Sequence, residues 1–194
     1  MDTLLSVVLG VGLSAASGFR VFVPFFLVGI AARTGHLALG DSFAWMAGTP
    51  ALVVFAVATV LEIGAYYVPW LDHALDVLAT PSAVVAGVVM TASVVTGLDP
   101  MLKWTLALIA GGGIAATVQA VTVGTRKVSL LTTGGLGNPV VSTMELFGSV
   151  LLAVLAIALP LLAFALVVWG LFFGVRRMLR FLKGPRPGPL VPGA

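Results

Sequence analysis

Long runs of apolar residues alternate with short polar segments along this chain. An α-helix needs about 20 mostly apolar residues to cross the hydrocarbon core of a bilayer. Five runs reach or approach that length, and because lipid offers no partner for open backbone groups, each run is predicted to be helical. The runs are Leu4–Ala32, Pro50–Val68, Pro81–Leu98, Trp104–Thr125 and Pro139–Val175. The pattern therefore predicts an all-α, polytopic membrane bundle.

Two of the five runs contain residues that bend or break a helix. Gly18, Arg20 and Pro24 interrupt the first run, which predicts a kink or a break there. The last run is too long for one straight span and has Pro160 near its middle. It either bends at Pro160 or turns back as a hairpin, and the shortage of other turn residues favours one kinked helix. The bundle then has five spans, or six if the chain turns back.

The composition agrees with a membrane protein. Of the 194 residues, 60% are apolar and 9% are charged, whereas about a quarter of the residues are charged in an average soluble domain. A soluble globular domain is therefore excluded. The chain contains no cysteine, which excludes disulfides, thiolate metal sites and cysteine nucleophiles.

Basic residues are concentrated after the last apolar run, and the positive-inside rule places that end of the chain in the cytoplasm. They are Arg176, Arg177, Arg180, Lys183 and Arg186. We divide the chain into a transmembrane domain, residues 1–175, and a segment, residues 176–194, with a basic juxtamembrane helix and a disordered tail rich in proline and glycine. The basic helix would attract anionic lipid. Nucleic acid is not an expected partner, because the chain has no nucleic-acid-binding module.

Three ionisable residues fall inside apolar runs, where each costs several kcal/mol unless it is paired or hydrated. Arg20 and Glu62 lie near the middle of their runs, which makes them the obvious ion pair. That pair could be structural or functional. Glu145 has no evident partner in the sequence. It could carry a proton at a buried position, or it could contact headgroup water near the start of its helix.

A glycine-rich polar loop precedes the last apolar run. Glycines let a backbone approach a ligand closely, and the amides of such a loop can bind an anion next to a helix start. The candidate ligand or ion contacts in this loop are Ser129, Thr132, Thr133, Gly134, Gly135 and Asn138. The alternative interpretation is a polar linker with a good helix cap.

An acidic segment follows the second run. Asp72 and Asp76 share one face of a predicted helix, and His73 is beside them. Two carboxylates and an imidazole can bind a divalent metal. Acidic residues after a span are more often simply solvated.

Two segments resemble a bacterial membrane family known as domain of unknown function 4126. One is Gly12–Pro24, with the sequence GLSAASGFRVFVP, and the other is Leu61–Asp76, with the sequence LEIGAYYVPWLDHALD. The resemblance implies an integral membrane protein of the bacterial inner membrane, and it implies no activity. It adds weight to Glu62, Pro69, Asp72 and Asp76, which fall on the second motif.

The leading hypothesis is a small transporter or channel for an ion or a small polar solute, working as a homo-oligomer in the lipid bilayer, with no enzymatic activity and no cofactor. Arg20, Glu62 and Glu145 would surround a cavity, and one of the two glutamates would carry a proton. The alternative is a non-catalytic membrane subunit that scaffolds a larger complex. A third hypothesis is a lipid-processing enzyme that uses the acidic segment at the headgroups.

Overall fold

The protein is described by a computed structural model that covers residues 2–65 and 69–182, with the backbone alone for residues 69–77, 178, 181 and 182. Every regular element in these ranges is helical. The α-helices are α1 (Thr3–Phe19), α2 (Phe22–Arg33), α3 (Thr49–Ala65), α4 (Pro69–Val94), α5 (Pro100–Leu106), α6 (Gly113–Thr133), α7 (Asn138–Ala158) and α8 (Pro160–Leu182). A 3₁₀ helix, Asp41–Ala47, precedes α3, and a π-helical segment, Ala107–Gly112, joins α5 to α6.

Helix α1 lies at the centre of the bundle and packs against α4, α6, α7 and α8. The helices approach closely because small residues face each other. The Ser14 hydroxyl donates to the Gly87 carbonyl of α4 at 2.8 Å, and the α-carbon of Gly10 faces Thr91. Small interfacial residues favour helix association in lipid, where no hydrophobic force drives helices together. The small residues that crowd α1 therefore serve helix packing.

The first apolar run is broken at Arg20, as the sequence predicted, and the chain reverses there. Arg20 has an extended backbone, with φ −144° and ψ 132°, and Pro24 falls in the first turn of α2, where a missing amide is tolerated. Beyond the far end of α2, the Gly40 amide donates to the Ser93 carbonyl of α4. This end of α4 lies beside the start of α1, since a β-carbon at Gly97 would be 3.1 Å from the Thr3 hydroxyl. The run is therefore a hairpin of two short helices whose tip is formed by Arg20 and Val21.

The expectation of one kinked helix through Pro160 is wrong. Leu159 leaves the helical conformation, with φ −139° and ψ 68°, because Pro160 cannot continue α7. The side chains of Ala156 on α7 and Ala163 on α8 both face Gly12 of α1. Further along, Ser149 of α7 bonds Ala16, and Val167 of α8 packs with Ala15. Both helices follow α1 in opposite directions, so α7 and α8 form an antiparallel hairpin.

The sequence predicted five or six spans. Among the described residues, three helices are long and apolar enough to cross a membrane, or four if one bent pair is a single span. The three are Pro100–Thr133, Asn138–Ala158 and Pro160–Arg177, and the bent pair joins Asp41–Ala47 to Thr49–Ala65. The difference has a physical cause. The hairpin at Arg20 divides the first run into helices of 17 and 12 residues, and the apolar part of α4, Leu78–Val94, is short as well.

The basic segment that follows residue 175 continues α8 as one helix through Leu182. Residues 183–194, which include the tail predicted to be disordered, lie outside the described residues.

Candidate functional site

The centre of the candidate site is an ion pair between α6 and α7. Arg126 donates from Nε to Glu145 Oε1 at 3.0 Å and from Nη2 to Glu145 Oε2, so that two hydrogen bonds join the side chains. Each residue is only 4% exposed. A two-point contact between arginine and carboxylate fixes the orientation of both groups as well as their separation. The pair therefore sets the register of α6 against α7.

Arg20 brings a second positive charge to the same carboxylate. Its Nη2 lies 3.7 Å from Glu145 Oε2, and it donates to the Ser142 carbonyl at 2.9 Å and to the Ser142 hydroxyl. Arg20 is only 2% exposed, although it lies in the short link that joins α1 to α2. The tip of the α1–α2 hairpin is thus tied to α7. Glu145, for which the sequence shows no evident partner, pairs with two arginines.

Glu62 reaches the same region from α3, and its partners are backbone amides. Its two carboxylate oxygens accept hydrogen bonds from the amides of Val21 at 2.7 Å and Phe22 at 3.0 Å. These amides stand at the start of α2, where no preceding turn supplies an acceptor, and the positive end of the helix dipole favours a carboxylate there. Glu62 thus caps α2 from another helix.

The sequence made Arg20 and Glu62 the obvious pair, and the structure gives each of them other direct partners. Arg20 binds Ser142 and Glu145, whereas Glu62 binds the amides at the tip of the hairpin. Both arginines still interact electrostatically with Glu62. We call the four side chains Arg20, Glu62, Arg126 and Glu145 the ionic cluster. Its formal charges cancel, which lowers the cost of burying them.

The buried faces of α6 and α7 explain why the pair forms where it does. On α6 the face comprises Ala115, Val118, Gln119, Thr122 and Arg126, and on α7 it comprises Ser142, Glu145, Ser149, Ala153 and Ala156. Spacings of three and four residues place each set on one side of its helix. Both faces are apolar toward one end of the bundle and polar toward the other, so their polar halves meet.

Arg126 is the functional candidate that sequence reasoning missed. The fourth apolar run ends at Thr125, but α6 continues to Thr133 and buries Arg126. The signal was available in the spacing of Gln119, Thr122 and Arg126, three polar residues on one helical face. A polar stripe that extends an apolar run indicates a longer helix with a polar interior.

Buried hydroxyl groups extend the polar zone from the ionic cluster along α1. Ser149 donates to the Ala16 carbonyl at 3.0 Å, and Ser17 donates to the Leu13 carbonyl at 3.0 Å. One further turn along, the hydroxyls of Ser14 and Thr91 lie 2.7 Å apart. The contacts between the central helices therefore include a series of hydroxyls as well as apolar side chains.

The glycine-rich loop lies at the end of the α6–α7 hairpin, about 10 Å along either helix from Arg126 and Glu145. Gly134 adopts a left-handed conformation, with φ 62°, which ends α6 and reverses the chain, and Gly135 also has a positive φ, of 90°. Asn138 begins α7. The loop is thus placed at one end of the bundle and the ionic cluster deeper inside it.

Hydrogen bonds within the loop make it a capped turn. Thr133 donates to the Ser129 carbonyl at 2.7 Å and accepts from the Gly137 amide at 2.9 Å, while Thr132 donates to the Val128 carbonyl at 2.8 Å. The Leu136 and Asn138 amides donate to carbonyls of the same turn. This geometry resembles the capped linker more than a loop that presents free amides to an anion.

The predicted metal ligands Asp72, His73 and Asp76 fall on the first turns of α4, but their side chains lie outside the described residues. Among the side chains that the structure does describe, no three His, Cys, Asp or Glu residues are grouped as metal ligands.

Comparison with known proteins gives a family and no activity. The family model described as Domain of unknown function (DUF4126) matches residues 7–180, which is most of the chain. The resemblance predicted from the two sequence motifs is confirmed. No curated protein and no solved structure matches the chain.

Proposed function

The chain belongs to the DUF4126 family, and from the geometry of its ionic cluster we propose that it is a small membrane transporter or channel for an ion or a small polar solute. The supporting observation is the burial of Arg20, Arg126 and Glu145, with Glu62 beside them, in a bundle of apolar helices. Ionisable groups at such positions are expensive in lipid and are typical of substrate and ion pathways.

The break in the first helix supports the same proposal. Transporters form their sites where helices are interrupted, because a helix start presents open amides and a positive dipole end. Here the interrupted element is the α1–α2 hairpin, and its open amides at Val21 and Phe22 are occupied by Glu62. The carboxylate of Glu62 occupies the position that the negative group of a substrate would take.

Glu62 is the group that we propose to change state during transport. As a carboxylate it holds the hairpin tip with two charge-assisted hydrogen bonds, which are stronger than neutral ones. Protonation of Glu62 would remove the negative charge and weaken its contact with both amides. The hairpin tip would then be open to an anion or to water, and the ionic cluster would carry a net positive charge. Proton movement is coupled to solute movement in this scheme.

Flux through reconstituted protein tests the proposal. The full chain is placed in liposomes loaded with a pH-sensitive dye, and gradients of protons, sodium chloride and sodium acetate are imposed. Wild-type protein is expected to dissipate at least one gradient faster than protein-free liposomes, and Glu62→Gln is expected to slow that flux sharply. Asp99→Asn is the matched control, since Asp99 caps the start of α5 at an exposed position.

Two outcomes contradict the proposal. One is that no gradient is dissipated faster than in protein-free liposomes. The other is that Glu62→Gln and Asp99→Asn both match wild type, which removes Glu62 from the pathway.

The second candidate function is a non-catalytic subunit of a larger membrane complex. The two-point contact of Arg126 with Glu145 favours it, because a closed ion pair can simply fix the register of two helices. Purification of the native protein in mild detergent separates the candidates. A foreign protein in constant stoichiometry supports the subunit, and a lone homo-oligomer supports transport.

We further propose that the protein is a multi-pass protein of the bacterial inner membrane with a cytoplasmic carboxyl terminus. The ends of α6 and α8 lie at the same end of the bundle, which therefore carries Lys127, Arg176, Arg177 and Arg180. Arg33 and Lys103 lie at the opposite end. This distribution follows the positive-inside rule when the first end faces the cytoplasm.

A further inference from the structure

An apolar groove opens on the surface of the bundle between α7 and α8. Its volume is about 230 Å³, and α1 and α6 form its floor. The lining includes Phe19, Gly148, Leu151, Leu155, Leu166 and Gly170. Leu151 and Leu166 are exposed at its rim. In a membrane such a groove faces lipid.

The groove continues along α8 as a second apolar depression between α6 and α8. Val121 lines both, and Val175 and Leu179 line the second. From Leu166 to Leu179 the distance along the helix is about 20 Å. An extended apolar chain could lie along this whole path in contact with side chains.

Positive charge lies at one end of the path. Arg176 and Arg180 are exposed, are four residues apart on one face of α8, and each directly follows a residue that lines the second depression. The guanidinium of Arg176 lies over the Phe172 ring, 5.4 Å from its centre. Basic side chains at the end of a membrane helix interact favourably with anionic headgroups at the cytoplasmic surface. The site thus combines an apolar path with a cationic end.

We propose that this path is a binding site for an anionic phospholipid, with one acyl chain along α8 and the phosphate on Arg176 and Arg180. The glycines on the path make room for the acyl chain. A β-carbon at Gly170 would meet no heavy atom within 4 Å, so the space beside it is open. The site depends on the membrane setting of the bundle and is independent of whether the ionic cluster conducts anything.

Native mass spectrometry of the purified full chain tests the site. The protein is mixed with palmitoyl-oleoyl phosphatidylglycerol or with the matching phosphatidylcholine, and the lipid that stays bound is counted. Wild type is expected to retain more phosphatidylglycerol than phosphatidylcholine. Gly170→Phe fills the groove and is expected to weaken retention of both lipids about tenfold, since even two displaced methylenes have that effect.

Two further variants make the test specific. Arg176→Ala combined with Arg180→Ala is expected to abolish the preference for phosphatidylglycerol while phosphatidylcholine is retained as before. Gly64→Phe is the matched control, because a β-carbon at Gly64 on α3 also meets open space. It is expected to retain lipid as wild type does. Leu166→Trp replaces Gly170→Phe as the blocking variant if the latter does not fold.

Three results would overturn the proposal. One is unchanged lipid retention when the groove is blocked. Another is an unchanged preference for phosphatidylglycerol in the double arginine variant. The last is a blocking variant that dissociates an oligomer but keeps its lipid, since a second copy of the chain would then occupy the groove. Loss of ion flux in the Glu62 variant has no bearing on any of these measurements.

Discussion

Arg126 and Glu145 lie 19 positions apart in the chain and meet inside the bundle through two hydrogen bonds. They are placed there by one turn, in which Gly134 ends α6 and the chain folds back as α7. Each residue lies about two helical turns from that end of its helix. The contact of Arg20 with the same carboxylate then ties the tip of the α1–α2 hairpin to the α6–α7 hairpin. One carboxylate thus joins three parts of the fold.

Breaking the Arg126–Glu145 pair is expected to destabilise the protein strongly. Glu145→Leu leaves two buried arginines without their carboxylate, and removal of one partner of a buried pair costs about 3–5 kcal/mol. The double variant Arg126→Met, Glu145→Leu is expected to recover much of the loss. Denaturant unfolding in detergent micelles measures the free energy of unfolding of each. The exposed neighbour Lys127→Met serves as control, and an equal loss in the control and in Glu145→Leu would contradict the prediction.

Removal of the Glu62 carboxylate is expected to open the start of α2. Glu62→Ala leaves the Val21 and Phe22 amides without their acceptor, at a cost of about 1–3 kcal/mol. Hydrogen exchange at those two amides is expected to speed up by roughly tenfold or more. Exchange measured by mass spectrometry on peptides that cover residues 18–24 checks this. Asp99→Ala should speed exchange only at Leu102, and unchanged exchange at Val21 in Glu62→Ala would exclude the cap.

Two nearby glycines are expected to respond in opposite ways to a single methyl group. A β-carbon at Gly111 would lie 2.5 Å from the Gly87 carbonyl oxygen, whereas one at Gly113 would meet nothing within 4 Å. Gly111→Ala should therefore destabilise by about 1–3 kcal/mol through overpacking. Gly113→Ala should stabilise by up to about 1 kcal/mol through helix propensity. Thermal unfolding in one detergent compares them, and a loss at Gly113 equal to that at Gly111 would contradict the close helix contact.

Cysteine labelling is expected to place the α6–α7 turn and the end of α8 on the same side of the membrane. The chain has no cysteine, so a variant with one introduced cysteine can be labelled only at that position. Leu136→Cys and Arg177→Cys should react with an impermeant maleimide only when the cytoplasmic side is accessible. Met101→Cys, at the start of α5, should react from the other side. One kinked helix through Pro160 would instead place Leu136 and Arg177 on opposite sides.

The sequence predicted the elements better than their connections. Gly18, Arg20 and Pro24 located the break in the first run, because proline and an intramembrane charge are unfavourable inside a lipid-facing helix. Pro160 located the second break, but one proline is compatible with both a kink and a reversal. The choice depended on where α8 could bury Ala163 and Val167, which are packed against α1. Both residues follow Pro160 closely in the chain, but the sequence pattern does not show which helix they contact.

The partners of the buried charged residues could not be predicted from the sequence either. Helical spacing shows that Ser142, Glu145 and Ser149 share a face, but it carries no information about which helix that face meets. Arg20 was expected opposite Glu62, and it binds Ser142, 122 residues away, and Glu145. Glu62 instead accepts hydrogen bonds from the Val21 and Phe22 amides, which lack acceptors in the helix because the chain breaks next to Arg20. The pairing therefore followed from the break and from the order of the hairpins together.

The sequence by itself determined that the chain is helical, rich in apolar spans and interrupted by a few charges, because backbone hydrogen bonding and the cost of charge in lipid act locally. Only the tertiary structure decided which charges meet, that Arg126 is one of them, and that the last run turns back. Those outcomes depend on how close small residues let the helices approach one another. They are properties of the contacts between helices, and a one-dimensional pattern does not contain them.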